Sequence, residues 1–201
     1  MTTVRIWFTK TGEASYISLL DLQRVMQRSI KRSGIPVWYT MGFNPHIYMT
    51  FANPLPLGQE SLVESVDVKT ELEQVPLEDW RQALDRVMPL GIKVTRVTLP
   101  QYKAEKISFA RYQLRMPLSA QASVDAYNQL ETAVIQKKTK RGHKEIDLKQ
   151  ALPRIETEQK ENELQAELLL TAGEGNNLNP SLWLNFMQEH CGLNPTDVSV
   201  L

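Results

Sequence analysis

The stretch from Ser18 to Gly34 constrains the fold of this chain more than any other, because it reads as one complete capped helix. Ser18 stands at the N-cap, and Asp21, three residues on, completes a capping box while placing negative charge at the positive end of the helix dipole. Leu22, Val25, Met26, Ser29 and Ile30 recur at helical spacing and form one apolar stripe. Arg24, Arg28, Lys31 and Arg32 fall on the other side. Gly34 suits the left-handed turn after the helix, and Pro36 prevents continuation. A helix with one apolar stripe has to bury it against another layer.

The flanking sequence supplies that layer. Val4 to Thr9 alternates and is rich in β-formers, which predicts a first strand. Ile47 to Phe51 and Leu62 to Lys69 read as second and third strands. Pro76 opens a helix at an N1-like position, with Leu77, Trp80, Leu84, Val87 and Met88 on its apolar face. Pro89-Leu90-Gly91 ends it, and Ile92 to Leu99 is a fourth strand. The order β-α-β-β-α-β is that of a ferredoxin-like unit. Pro100 to Lys103 is the linker candidate, after which the pattern repeats. Ile107 to Met116 is a strand and Ser119 to about Gln136 a helix. The basic stretch Lys137 to Lys144 is then an inserted loop. Strands at about Leu152 to Thr157 and Glu163 to Thr171 flank a turn at Gln159 to Asn162. A helix from Ser181 to Glu189 and a strand from Thr196 to Leu201 close the chain. The expectation is an α+β protein of two tandem ferredoxin-like halves with antiparallel sheets, residues 1–100 and 104–201.

Composition narrows the function classes. The 201 residues carry 23 Lys and Arg against 23 Asp and Glu, so a uniformly basic nucleic-acid binder is excluded while local patches are not. Such a patch lies between Met1 and Gly58, where Arg5, Lys10, Arg24, Arg28, Lys31 and Arg32 face only Glu13 and Asp21. The single cysteine, Cys191, leaves no internal disulfide and no cysteine zinc cage, which fits a reducing cytosol. Neither a signal peptide nor a transmembrane run of ~18 apolar residues is expected.

Catalytic signals are sparse. His46, His143 and His190 have no metal-ligand spacing, and no glycine-rich phosphate loop follows a strand. No nucleophile elbow surrounds Ser15 or Ser18. A self-contained enzyme is not indicated, and no cofactor is expected. The turn Asn44-Pro45-His46 is the exception. Its imidazole could serve as general acid or base in a metal-independent ribonuclease, or it could fix the loop by bonding a backbone carbonyl. Cationic residues point elsewhere: Lys10, Arg24, Arg28 and Arg32, with Asn44 and His46, and separately Lys140, Arg141 and Lys144, are candidate anion- or RNA-binding groups. Exposed aromatics would add base stacking. Pro54 to Gly58 is stiff and extended, fit either to pin a turn or to dock a partner.

Lys10-Thr11-Gly12, Tyr16 to Leu22, the Arg24/Arg28/Arg32 helix, Gly34-Ile35-Pro36, Gly42-Phe43-Asn44-Pro45-His46, Pro54 to Ser61 and Arg141 to Leu148 together resemble the radical-SAM-linked protein family. That family occurs in bacteria, alone or fused to radical SAM proteins with a cobalamin-type domain. Many relatives carry a histidine shortly before the Asp-Leu pair, where this chain has Leu19 and Leu20. The resemblance implies a substrate- or RNA-presenting module with a radical SAM protein as partner. The chain has no Cys-x-x-x-Cys-x-x-Cys and holds no such cluster itself. Tandem ferredoxin-like halves with a basic helix are also similar to CRISPR RNA-processing endoribonucleases, by fold analogy. The resulting expectation is a cytosolic RNA-binding or substrate-presenting accessory domain, with a ribonuclease using His46 or a pure protein-interaction module as rivals.

Overall fold

The computed structural model describes residues 1–139, 142–173 and 177–201. It is a mixed α+β protein that divides into two compact units, Met1–Ile107 and Ser108–Leu201. The expected linker, Pro100 to Lys103, therefore lies inside the first unit.

The first unit runs β1 (Thr2–Lys10), α1 (Leu19–Ser33), β2 (Met49–Phe51), β3 (Ser61–Thr70), α2 (Leu77–Asp85) and β4 (Ile92–Thr98). Its antiparallel sheet has the order β2-β3-β1-β4. Alternation along β1 sends Val4, Ile6, Phe8 and Lys10 to one face, and the register places Val68, Val66 and Glu64 beside Val4, Ile6 and Phe8. On that face α1 packs Leu22, Met26 and Ile30, and α2 packs Trp80 and Leu84. Both helices thus cover the same side of the sheet, as amphipathic helices over a half-buried sheet must. Ser18 caps α1 as its sequence predicts, accepting the Asp21 N–H, and Gly34 closes the helix at φ 73°. Pro76 is the N-cap of α2 and stands one position before its expected place. The second strand is shorter than expected: Ile47 pairs with Tyr39 in an isolated bridge, and β2 starts at Met49.

The second unit runs β5 (Phe109–Pro117), α3 (Gln121–Gln129), β6 (Val134–Thr139), β7 (Gly142–Asp147), β8 (Thr157–Lys160), β9 (Glu163–Thr171), α4 (Pro180–His190) and β10 (Ser199–Val200). One sheet has the order β10-β5-β9-β8, and β6 and β7 form a separate two-stranded sheet. Its core gathers around Tyr127, whose hydroxyl donates to Leu152 O at 2.8 Å and whose ring meets Trp183 and Phe186 edge-on at 6.0 and 6.1 Å.

Three expectations fail here. The helix from Ser119 to Gln136 ends at Gln129, and Val134 and Ile135 belong to β6. Ile135 pairs across the hairpin with Ile146, and Leu148 N–H donates to Ala133 O at 2.8 Å. A β-branched run that alternates and finds a matching partner prefers the ladder to the helix. The described residues of the expected basic loop, 137–139 and 142–144, are therefore paired strands. The strand expected over Leu152 to Thr157 begins only at Thr157, because Asn128 of α3 takes the backbone bonds of Ile155 with its side-chain amide, at 2.9 and 2.8 Å.

Candidate functional site

The outward side of α1 carries a crest of exposed cations, Arg24, Arg28, Lys31 and Arg32. Arg24 pairs with Asp21 at 3.0 Å, with both side chains more than half exposed. The Ser18 hydroxyl and Arg24 hold the Asp21 carboxyl below the usual carboxylate range. Exposed pairs of this kind are weak, and Arg24 stays available to a phosphate. Arg28 is exposed beside it. Farther along, the residues part. Lys31 lies over the Tyr39 ring at 6.0 Å, whereas Arg32 donates to Val87 O after α2 and serves as a helix–helix fastener.

Tyr39 links the crest to the second element of the site, the turn Thr40–His46. Thr40 N–H donates to His46 O at 2.8 Å, and His46 N–H donates to Thr40 Oγ1 at 3.1 Å. The imidazole Nδ1 lies 3.0 Å from Thr40 Oγ1 and 3.2 Å from Asn44 O. A carbonyl only accepts, so Nδ1 donates to Asn44 and Nε2 is the ring atom left to outside partners. Asn44 thus acts through its main chain. Between them Met41 and Phe43 project outward, Met41 89% exposed and Phe43 fully so. The turn is braced at its base by polar bonds and apolar at its tip.

Lys10 does not join this surface. It is 2% exposed, on the inner face of the sheet with Val4, Ile6 and Phe8, and its Nζ reaches Ser15 O at 3.4 Å. Glu64, only 7% exposed, shares the same layer. Burial pushes the Glu64 carboxyl up to about 7 against the opposing pull of Ser61 and Lys10, and burial pushes the Lys10 ammonium down. Expecting Lys10 at the anion surface overlooked strand parity, which puts it in the core phase. The same parity identifies Glu64, in phase with Val66 and Val68.

The strap Pro54 to Ser61 closes over this end of the sheet. Gly58 N–H donates to Ser15 O at 2.9 Å, and the Glu60 carboxylate accepts from Gly12 N–H. The strap pins the Gly12–Tyr16 turn, so its structural use is accounted for.

In the second unit Lys144 is exposed on β7, directly opposite Lys137, while Lys138 faces His143. Lys137 donates to Asn177 O. Lys144 also lines a cavity of about 480 Å³ with Val134, Asp147, Gln150 and Leu178. Lys140 and Arg141 lie outside the described residues.

Among the described residues no group of three or more His, Cys, Asp or Glu could hold a metal ion, and no helix is long and apolar enough to cross a membrane. Cys191 is half-buried, and burial pushes its thiol up.

No curated protein matches the chain. A family model matches residues 3–180, which include α1, the His46 turn, the strap and the basic hairpin. That match carries no link to a radical SAM enzyme. Spanning most of the chain as it does, it places the protein in DUF2344, a family of uncharacterised proteins conserved in bacteria.

Proposed function

We propose that this chain is a cytosolic accessory module, built of two ferredoxin-like halves, that binds RNA or presents a substrate to a radical SAM enzyme. One observation carries the RNA half of the reading: Arg24, Arg28 and Lys31 form an exposed cationic crest along α1 that runs, through the Lys31–Tyr39 contact, to the His46 turn. Forked guanidinium donors beside exposed rings suit the phosphates and unstacked bases of looped or single-stranded RNA. The matching strand orders of the two sheets support the tandem reading. The radical SAM partner rests on the motif blocks from Lys10 to Ser61 and around Arg141 to Leu148. A protein that presents RNA without cutting it needs no second catalytic group beside His46, whose Nδ1 is committed to the turn.

A filter-binding titration tests the RNA half. Affinity for a bound RNA falls linearly with log salt, with a slope set by the phosphates contacted. Arg24→Glu with Arg28→Glu lowers affinity by at least about tenfold at ~0.1 M salt and flattens that slope by about two. Unchanged affinity for every RNA tried removes RNA from the reading. Co-purification with a radical SAM protein tests the partner separately.

A further inference from the structure

The face of the first sheet turned away from α1 and α2 has a composition of its own. Residues of one parity on β1, β3 and β4 point there, and so does Thr50 of β2. Its outward positions hold four cations, Arg5, Lys69, Lys93 and Arg96, and one carboxylate, Asp67. That carboxylate is neutralised by Arg5 through two bonds of 2.6 and 2.8 Å. The net field of the face is positive in a chain whose net charge is zero.

Aromatic rings stand among those cations. Trp38 and Tyr48 meet edge-to-face with centroids 6.1 Å apart. The Lys69 ammonium lies 4.3 Å from the Tyr48 centroid and 5.9 Å from that of Trp38. Backbone bonds fix all three: Trp38 N–H donates to Lys69 O at 2.7 Å and Tyr48 N–H to Trp38 O at 3.4 Å. On the same face Trp7 carries the Arg96 guanidinium at 4.2 Å. Neither Trp38 nor Tyr48 belongs to the apolar core, and Tyr48 is 37% exposed. Rings held rigidly on an outer face, with an ammonium between them that makes no ion pair among the described residues, have the make-up of a stacking platform: each ring takes a base, and the cation takes the adjoining phosphate.

We infer that the Trp38–Tyr48–Lys69 cluster on the outer sheet face is a binding site for unpaired RNA, separate from the α1 crest. It rests on the RNA reading above and adds where, and by what contact, the bases are held. Trp38 and Tyr48 lie just outside β2, but their backbone bonds to β3 and to each other hold the rings in place, and stacking gains nothing from rings that must first be ordered.

The test uses the full chain and a fluorescent oligouridylate of about 12 nucleotides. Trp38→Ala and Tyr48→Ala each lower affinity about 5- to 100-fold and leave the salt slope unchanged, because a ring contributes stacking and no charge. Lys69→Ala lowers affinity and reduces the slope by about one. Trp38→Phe, which keeps a ring, retains most of the binding and shows that loss in Trp38→Ala is not loss of folding. Should Trp38→Ala and Tyr48→Ala bind like the parent while Arg24→Glu with Arg28→Glu does not, the platform is overturned and the crest stands. Absence of binding by the parent at every salt concentration overturns both.

Discussion

The two halves of this protein solve one packing problem with different chemistry. Each lays antiparallel strands in corresponding order, β2-β3-β1-β4 and β10-β5-β9-β8, and each buries one face of its central strands. In the second half the inner positions of the central strands are apolar throughout: Tyr112, Leu114 and Met116 on β5, and Leu164, Ala166, Leu168 and Leu170 on β9. In the first half the same stretch of strand ends in Lys10 on one side and carries Glu64 on the other, both almost inaccessible. The second half shows that such a sheet closes without charge. Lys10 and Glu64 are therefore not demanded by the topology, and they weaken the core unless each compensates the other.

The largest effect follows from that contrast. Lys10→Met leaves the Glu64 carboxylate buried without the cation that draws on it, and destabilises the first unit by about 3–5 kcal/mol in urea unfolding at about pH 9, above the value of about 7 at which that carboxyl ionises. Adding Glu64→Leu brings in the side-chain types found at the end of the second sheet and restores stability to within about 1 kcal/mol of the parent, or above it. If the double variant is as unstable as the single, the halves differ by more than this charge pair. Hydrogen exchange read separately in β1 and β5 assigns the loss to its unit.

Next in size is a pH effect confined to the first half. Between its ordinary value of 4.5 and about 7 the folded protein holds a proton on Glu64 that the unfolded chain has released. Stability therefore falls as pH rises through that window, by about 3 kcal/mol in total at the order-of-magnitude level. Lys10, whose ammonium is pushed down by burial, has the opposite sign: stability recovers as pH climbs toward 10.5. The measurement is the difference between the parent and Glu64→Gln, whose profile lacks the fall. A parallel pair of curves from pH 4.5 to 7 contradicts the shift.

How far the sequence shows these features depends on whether they are local. The α1 helix was legible because its stripe, Ser18 cap and Gly34 terminator lie within one segment. The His46 turn was legible for the same reason, its bonds joining Thr40, Asn44 and His46. The end of α3 was not, because Tyr127, Leu130 and Val134 keep helical spacing and only the partner strand at Ile146 decides otherwise. The candidate site was half legible. Arg24 and Arg28 are where a helical wheel puts them, but Lys10 is sent inward by strand parity and Arg32 is drawn to Val87, a partner 55 residues away. The outer-face cluster of Trp38, Tyr48 and Lys69 joins three segments and depends on strand register, which no local pattern contains.

A smaller difference separates two glycines that each follow a unit's second helix. Gly91 and Gly192 both sit at positive φ, 82° and 72°. A Cβ at Gly91 would lie 2.5 Å from Thr11 O and 2.8 Å from the Ala14 Cβ, whereas at Gly192 it meets nothing within 4 Å. Thr11 N–H donates to Gly91 O at 2.8 Å, so the close approach is part of how the Gly12–Tyr16 turn is held. Alanine at Gly192 carries only left-handed strain, roughly 1–2 kcal/mol. Alanine at Gly91 adds a backbone displacement and exceeds it by about 1–3 kcal/mol. Equal losses would mean that the Thr11–Gly91 contact yields freely.

The smallest expected difference lies in the helix caps. Ser18 accepts the Asp21 N–H and donates its hydroxyl to the Asp21 carboxylate, while Asn179 accepts from Ser181 N–H at the start of α4. Removal of either cap by alanine costs about 1 kcal/mol. The helices differ in what remains. In Ser18→Ala the Asp21 carboxylate still faces the positive end of α1, whereas α4 has no acidic residue in its first turn. That residual charge is worth about 0.3–1 kcal/mol at low ionic strength. Asn179→Ala is therefore the costlier of the two in dilute buffer, and the gap closes in ~1 M salt, where charges are screened within about 3 Å. A gap that persists in high salt would trace it to packing around Pro180 and leave the dipole without a part. Because α1 also carries Arg24 within its second turn, fraying in Ser18→Ala loosens the crest at its N-terminal end. On the proposed RNA reading, affinity then drops far less than in the Arg24→Glu, Arg28→Glu protein, since the charges stay present and only their order is lost.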